Sequence, residues 1–367
     1  MNINDITRPT LLLDMGKCIR NIDHIQRKIS ESGIIFRPHF KTHQSLYVGK
    51  ILEEKGINRI AVSSVGMARY FSSGGWNDIT IAFPFNPREY EEIANIAEVS
   101  KLCITIPGVE SARLLARLSR VPVDVMIKID TGYNRSGLPW DDKDAICETA
   151  DILNSCTFLN LRGLLSHTGN TYHASSPTEI SALFEKAVER VNHSREILAK
   201  DNMIISLGDT PSASVVDSYS GFDELRTGNF VFYDMTLANL GVCTSGDIAV
   251  AVACPVVDIR KRNNSLVIYG GAVHFSKESI MINGEKVFGK LVRITGNGWV
   301  EYEDELYLSS LSQEHGIIID KKGILSHLRI GDLAGILPVR SQLSSNLLGK
   351  YMLPDGSFAD HMSGQRS

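Results

Sequence analysis

The chain has 367 residues, 38 basic against 42 acidic side chains, a formal net charge of −4, 43% hydrophobic and 7% aromatic residues, and 6 cysteines. That length suits two domains, or one barrel of about 250 residues with an appendage, and its balanced, mildly acidic surface offers no basic patch for nucleic acid or an anionic membrane. The longest strongly apolar run, residues 248–257, is 10 residues long and contains a proline, whereas a spanning helix needs about 20.

The opening residues, MNINDITRPT, lack the basic start and apolar stretch of a secretory signal. Short β-branched runs then alternate with longer amphipathic segments. Strands are expected at 34–41, 59–64, 78–83, 102–106, 123–130, 159–167, 203–209 and 225–233. The segment 109–120 typifies what lies between: Val109, Leu114, Leu115 and Leu118 fall near one helical face, with Glu110, Arg113, Arg117 and Arg120 on the other. Eight strands with helical crossovers imply an α/β structure, a (β/α)8 TIM barrel rather than an open sheet.

After residue 239 the rhythm changes. Strands are expected at 249–261, 265–273, 286–295, 305–310 and 331–337, with turns at Asn263-Asn264, Asn283-Gly284 and Gly296-Asn297-Gly298. Strands without long helices between them indicate a C-terminal all-β domain. The expected division is a barrel over 15–240 and a β domain over 241–367 joined by 1–14, with residues 8–14 packing on that second domain. Residues 359–367 read as a loose tail. Cys18, Cys103, Cys147, Cys156, Cys243 and Cys254 are scattered without a C-x-x-C pair, as expected of reduced thiols in a cytoplasmic protein.

A barrel builds its active site from the loops after its strands. The unusual polar residues collect there: Arg37-Pro38-His39-Phe40-Lys41-Thr42-His43, Lys128 to Gly137, Ser166 to Tyr172, Gly208-Asp209-Thr210-Pro211-Ser212, and Glu224 to Asn229. Lys41 follows an apolar strand. Among other cations and little water its ammonium form is disfavoured, making it a nucleophilic amine; the alternative is a solvated lysine at a strand end. Gly208, Asp209, Thr210 and Ser212, beside Gly228 and Asn229, have the composition of a phosphate cradle, or of a turn with a helix cap. Arg135 on its glycine-bounded loop suits an anion or phenolate, or the surface. His167 suits a planar ring or the core, and Tyr172 suits packing or a phosphate. An imine-forming lysine, a planar ring and a phosphate together describe pyridoxal phosphate.

Thr10-Leu11-Leu12-Leu13-Asp14, Arg37 to His43, Lys128 to Gly137, Gly228-Asn229 and Ser312-Gln313-Glu314-His315-Gly316 resemble the D-threonine aldolase and D-serine dehydratase group. These are fold type III, alanine racemase-like, pyridoxal 5'-phosphate enzymes, and the resemblance runs from about residue 8 to 348. It implies that Lys41 is the Schiff-base lysine and that His39, Arg135, His167, Tyr172, Asp209, Thr210, Gly228 and Asn229 line the cofactor. It also implies that a β domain closes the site of a homodimer.

One departure stands out. Members of the group usually carry Pro-x-His-x-Cys or Pro-x-His-x-Asp, whose His and Cys or Asp bind a divalent metal; here the stretch reads Pro338-Val339-Arg340-Ser341-Gln342. Neither a guanidinium nor an amide suits that role, so no metal is expected, and Arg340 is expected to hold the substrate carboxylate instead. The leading expectation is an aldolase-like lyase cleaving a 3-hydroxy-D-amino acid, with His315 or His274 as a second base. The alternatives are a metal-independent racemase or epimerase and a non-catalytic pyridoxal phosphate-binding protein.

Overall fold

The computed structural model describes residues 5–200, 202–296 and 298–366. Residues 1–4 of the opening segment, Asn297 of the third expected turn and Ser367 of the expected tail lie outside the described residues. The chain forms two compact units, one of residues 24–41 and 49–228, the other of the described residues up to 23, 42–48 and those from 229 onward.

The first unit is the expected barrel. Parallel strands at Ile35–Phe36, Ile60–Val62, Asp78–Pro84, Lys101–Ile106, Val123–Asp130, Leu159–Leu165, Ile204–Leu207 and Glu224–Leu225 follow one another around the sheet. Ile35–Phe36 pairs with Glu224–Leu225, and a parallel bridge between His39 and Ala61 joins the first strand to the second, which closes the ring. Continuous buried apolar runs such as Val125, Met126 and Ile127 suit strands covered on both faces. The intervening segments are helices, including Val109–Leu118 where amphipathic spacing placed one.

The barrel interior also carries charge. Arg37 bonds Glu224 and Asp78, each at 2.7 Å. Glu224 accepts from the Ser206 hydroxyl at 2.6 Å, and Arg226 Nε donates to that hydroxyl at 2.6 Å. Arg226 Nη2 donates to the Ser166 carbonyl at 2.6 Å. A buried guanidinium costs several kcal/mol unless its donors are satisfied, and here the chain of partners runs from Asp78 to Ser166. Burial pushes the Cys103 thiol beside this network up to about 12, so it stays protonated.

The second unit is mostly strand. Val250–Arg260 is its central member, pairing with Thr10–Leu13, with Leu333–Pro338 and with Ser265–Tyr269. Residues 8–14 thus join the β unit as expected, through register such as Leu12 opposite Ala251.

Four expectations fail locally. The first barrel strand, expected at 34–41, is only Ile35–Phe36, continued by a single bridge at His39. The eighth barrel strand is only Glu224–Leu225, and 229–231 form a 3-10 turn. Asn229 Nδ2 donates to Asp234 Oδ2 at 2.7 Å while Asp234 caps Met235–Asn239, so side-chain bonds override the β-branched run. The strand expected at 265–273 ends at Tyr269, because the chain turns into a helix at Ala272–Phe275 with Phe275 N–H returning to the Gly271 carbonyl. The tail is not loose over its described residues. Phe358–Ala359 pairs with Tyr351–Met352, and the Asp360 carboxylate accepts from Ser45 Oγ, Leu46 N and Tyr47 N at 3.0, 2.8 and 2.9 Å.

That anchor surrounds a buried histidine. His43 is completely buried, its Nδ1 accepts from Ser45 N, its carbonyl receives the Tyr351 hydroxyl, and buried His361 lies nearby. Burial, then His361, lowers its pKa to about 3, against the opposing effects of Ser45 and Asp360. A depressed folded-state pKa stabilises the fold above the ordinary value of 6.5, and that stability is lost as pH falls toward 3. Stability at pH 4.5 should therefore fall by about 3 kcal/mol relative to pH 7 from His43 alone. Urea denaturation should show this difference shrinking by that amount in His43→Gln; an unchanged pH dependence in the variant contradicts it.

All six cysteines are free, and among the described residues no helix is long and apolar enough to cross a membrane.

Candidate active site

Lys41 follows Phe40, whose ring meets Phe71 and Trp76 edge-on with centroids 4.9 Å away in each case. His39 N–H bonds the Thr227 carbonyl at 2.7 Å, and His39 Nδ1 accepts from Lys41 N at 3.3 Å. Strand pairing and aromatic packing thus fix the backbone that leads into the lysine.

Next to the sixth strand is the loop that follows the fifth, Val123–Asp130. Asp130 Oδ1 gathers the N–H groups of Gly132, Tyr133 and Asn134 at 2.8, 2.9 and 3.1 Å. Gly137 closes the loop with φ of 114°, and a β-carbon there would stand 2.8 Å from the Lys128 carbonyl. The Arg135 guanidinium lies over the Tyr133 ring at 4.9 Å, and that ring meets His167 edge-on at 5.8 Å. His167 Nδ1 donates to the Gly208 carbonyl at 2.7 Å, which leaves Nε2 with the lone pair. Burial, then Lys41, with Arg135 and Arg226 behind, holds His167 well below the usual histidine range, so the ring is neutral.

Lys128 belongs to the same cluster. Burial, then Arg135 and Arg226, lowers its pKa to about 8, with Asp130 opposing. Lys41, Arg135 and Arg226 therefore place positive charge near His167, and Lys128 shares a small space with that ring, while Asp130 Oδ1 is engaged with its own loop. A site with this charge balance suits an anionic ligand.

On the adjoining rim Asp209 caps the short helix Thr210–Val215. Its carboxylate accepts from Thr168 Oγ1, from Thr171 Oγ1 at 3.0 Å and from Ser212 N at 2.7 Å. Burial raises its pKa against these bonds. Thr210 and Thr227 share a hydroxyl contact of 3.0 Å, and Tyr172 sits in the turn Gly169–His173 that Thr171 ties to Asp209. Asp209 organises the rim with both oxygens already occupied.

In the β unit, Asn229 is bonded to Asp234, whose pKa is raised by burial and lowered by the Arg340 charge. Thr236 Oγ1 donates to the Val339 carbonyl at 2.9 Å, fixing the segment that carries Arg340. Arg340 Nε lies 4.0 Å from Glu278 Oε2, and Gln342 Oε1 is buried. The residues present do not fit a divalent cation, since a guanidinium has no lone pair to donate, and among the described residues no three His, Cys, Asp or Glu side chains are grouped for a metal.

His274 Nδ1 accepts from Gly271 N at 3.1 Å, with Nε2 3.9 Å from Glu314 Oε2. Burial lowers its pKa and Glu314 opposes this. It lines a cavity of about 630 Å³ together with Arg8, Tyr269 and Lys350. His315 is exposed on the strand paired with Tyr269.

The structure thus gathers Lys41, Arg135 and His167 at one mouth, Asp209 and Thr210 on its rim, Asn229 with Arg340, and His274 with Glu314. Lys128 and Arg226 stand in the quoted strand-end motifs without having been singled out. Their signal was a cation inside an otherwise apolar or paired strand.

A barrel with a lysine among cations at its mouth, continued by a strand unit, defines the alanine racemase-like fold of pyridoxal phosphate enzymes. The model of the alanine racemase N-terminal domain matches residues 13–235, and the chain belongs to that family; a putative serine dehydratase domain matches residues 249–353. D-threo-3-hydroxyaspartate dehydratase of Delftia sp. (strain HT23) is 26% identical over 347 residues, 90% of this chain and 89% of the relative. Its solved structure superposes with a TM-score of 0.89 at 24% identity, covering 98% of each chain. D-serine dehydratase of Dictyostelium discoideum is 26% identical, covering 95% of this chain and 94% of the relative. 3-Hydroxy-D-aspartate aldolase of Paracoccus denitrificans (strain Pd 1222) is 23% identical, covering 96% and 89%. These relatives are lyases, and pyridoxal 5'-phosphate is the cofactor of the family. The cationic mouth, with a half-buried primary amine and a neutral histidine, fits that group.

Proposed function

We propose that this chain is a pyridoxal phosphate-dependent lyase that cleaves a 3-hydroxy-D-amino acid between Cα and Cβ. The observation that carries the reading is the Lys41 amine beside neutral His167 and the Arg135 and Arg226 guanidinium groups, in a chain whose full-length relatives are lyases. Bound pyridoxal phosphate supplies the ring that accepts the electron pair left when a bond to Cα breaks.

The residues divide the work. Lys41 Nζ anchors the cofactor and, once released by the amino group of the substrate, moves a proton at Cα. His39, Arg135 and His167 line the ring, with the His167 proton held on Nδ1 by Gly208. Tyr172, Thr210, Gly228 and Asn229 serve the phosphate. Asp209, first expected to touch the cofactor, acts by holding the Thr168, Thr171 and Ser212 side of the rim in place. Residues 15–240 carry the cofactor, and 241–367 with 1–14 supply Arg340. The working form is a cytoplasmic homodimer, which sedimentation of the loaded protein tests for its oligomeric part.

Arg340 holds the substrate carboxylate where the group's usual motif has a metal-binding histidine. A charge-assisted bond of this kind is worth about 1.5–3 kcal/mol. Arg340→Ala should raise KM roughly 10- to 100-fold. Unchanged KM and kcat remove Arg340 from the site.

The reading is tested by titrating chelator-treated, cofactor-loaded protein with D- and L-amino acids, with and without β-hydroxyls. Aldehyde release from a 3-hydroxy-D-amino acid supports it. Deuteration at Cα with loss of optical purity, and no aldehyde, replaces it with racemisation.

A further inference from the structure

We propose that Asp360 is a positioning residue for Lys41, its carboxylate fixing the path of the residues that follow the lysine and so the place of the amine; this rests on the assignment of Lys41 as the cofactor-bearing lysine above. Imine chemistry asks for one placement of Nζ, and a displacement of about 1 Å can cost on the order of 100-fold in rate. The backbone leading into Lys41 is held by the Thr227 and Ala61 carbonyls, which receive His39 N–H at 2.7 Å and Phe40 N–H at 2.8 Å. Beyond the lysine that support ends. Residues 40–43 form a turn, and the next regular element is the helix Leu46–Glu54.

The C-terminal residues take over there. Tyr351 donates its hydroxyl to the His43 carbonyl, and Met362 N–H donates to the Gln44 carbonyl at 2.7 Å. Asp360 then covers three consecutive residues: Oδ1 accepts from Ser45 Oγ at 3.0 Å and from Tyr47 N–H at 2.9 Å, and Oδ2 accepts from Leu46 N–H at 2.8 Å. Every residue from His43 to Tyr47 is thus bonded to the chain between Tyr351 and Met362. Thr42, His43 and Ser45 are fully buried and Gln44 is 8% exposed, so a group released from these bonds is shielded from water and costs its desolvation. The C-terminal residues are themselves tied down. Phe358–Ala359 pairs with Tyr351–Met352, and buried His361 has its ring 5.9 Å from that of Tyr351 and its Nδ1 bonded by Ser363 N–H at 3.1 Å.

Gln44 shows that the segment is constrained and not merely covered. Its φ of 44° lies in the left-handed region, which a residue other than glycine occupies at a cost and only where its surroundings dictate it. The Met362 bond at Gln44 and the Asp360 bonds just after it supply those surroundings. Three planar peptide units separate this reversal from Lys41, so a shift of residues 44–47 is passed to the lysine with little slack. Asp360 acts through that backbone and takes no part in the chemistry.

The test separates placement of the lysine from stability. Asp320 of the same unit is the matched control, since its carboxylate also collects backbone donors, Ile324 N–H at 2.9 Å and Leu325 N–H at 2.7 Å, in a loop of its own. Asp360→Ala and Asp320→Ala should both lose stability to urea. In the cofactor-free protein, Asp360→Ala should speed amide hydrogen exchange in the peptide spanning 42–47 roughly tenfold or more, and Asp320→Ala should not. In the loaded protein, Asp360→Ala should lower kcat for aldehyde release roughly 10- to 100-fold with KM within about threefold, and weaken the lysine-bound form of the cofactor roughly tenfold, read by absorption and by borohydride fixation on Lys41. Asp360→Asn keeps one acceptor oxygen for Ser45 and Tyr47 but turns an amide toward Leu46 N–H, so it should fall between the native protein and Asp360→Ala in all three readings, and it carries the test if Asp360→Ala does not fold. Native kcat and native fixation in the Asp360 variants overturn the proposal. Equal losses in Asp320→Ala, which make the effect one of stability, overturn it as well, as does unchanged exchange at 42–47 in the Asp360 variants. If borohydride fixes no cofactor on Lys41 of the native protein, the cofactor assignment has failed and takes the proposal with it, a result separate from normal fixation in the native protein and Asp360→Ala alike.

Discussion

Lys41→Ala should leave the chain folded yet reduce turnover by at least roughly a thousandfold, because covalent catalysis through an imine has no substitute once the amine is gone. The backbone at this position is held by other means. Lys41 N–H rests on His39 Nδ1, and the preceding Phe40 is locked between Phe71 and Trp76. The variant should still take up pyridoxal phosphate through noncovalent contacts, with the absorption of the free aldehyde rather than of the lysine-bound form. Borohydride reduction followed by peptide mass spectrometry gives the sharper reading. In the native protein the cofactor should be fixed on Lys41, and in Lys41→Ala it should not be fixed at all. Lys128 is a second buried amine of the barrel, near Arg135 and Arg226, so labelling there instead of at Lys41 would overturn the assignment. Removing Lys41 also removes the largest nearby charge acting on His167, so the pKa of that ring should rise toward its ordinary value.

The barrel was legible because its signal is repeated. The runs expected at 78–83, 102–106 and 123–130 became strands at Asp78–Pro84, Lys101–Ile106 and Val123–Asp130, each apolar enough to need cover on both faces. Lys41 stood out for a different reason: a lysine at the C-terminal end of an apolar run falls on the functional rim of any barrel, although the strand itself ends at Phe36. The eighth strand was misread because Phe230, Val231, Phe232 and Tyr233 have strand-like composition but are buried as a turn. That turn is decided by the Asn229–Asp234 bond, a contact between side chains five positions apart that no periodicity reports. The tail misled in the opposite direction. Its small polar composition concealed one aspartate, Asp360, whose three donors lie more than 300 positions earlier. The charged column from Asp78 to Arg226 was likewise hidden, because each member looks ordinary until barrel closure brings residues about 20 to 190 positions apart into one network.

Gly208→Ala should be the most damaging single-methyl change at the mouth. A β-carbon on Gly208 would lie 1.8 Å from the Arg226 carbonyl oxygen and 2.4 Å from its carbon, so backbone would have to move. The seventh and eighth strands pair at Leu207 and Leu225, and Arg226 N–H bonds the Leu207 carbonyl at 2.6 Å. Forcing them apart strains that bond and displaces Arg226 from Ser206 and Ser166. It also shifts the Gly208 carbonyl that fixes the His167 tautomer, and the adjacent Asp209 that gathers Thr168 and Thr171. Overpacking a side chain typically costs about 1–3 kcal/mol, and a clash against rigid backbone belongs at or above the top of that range. We expect urea denaturation of cofactor-free Gly208→Ala to show a loss of about 3 kcal/mol or more, with pyridoxal phosphate affinity at least roughly tenfold weaker. Gly66→Ala is the matched control: Gly66 lies in the helix Val65–Ser73 with nothing within 4 Å of a new β-carbon, so the added methyl should be neutral or stabilising by up to about 1 kcal/mol. If Gly208→Ala unfolds with the native protein and binds the cofactor as tightly, strands seven and eight are not packed as closely as described, and the coupling of His167, Asp209 and Arg226 through this one residue falls with it.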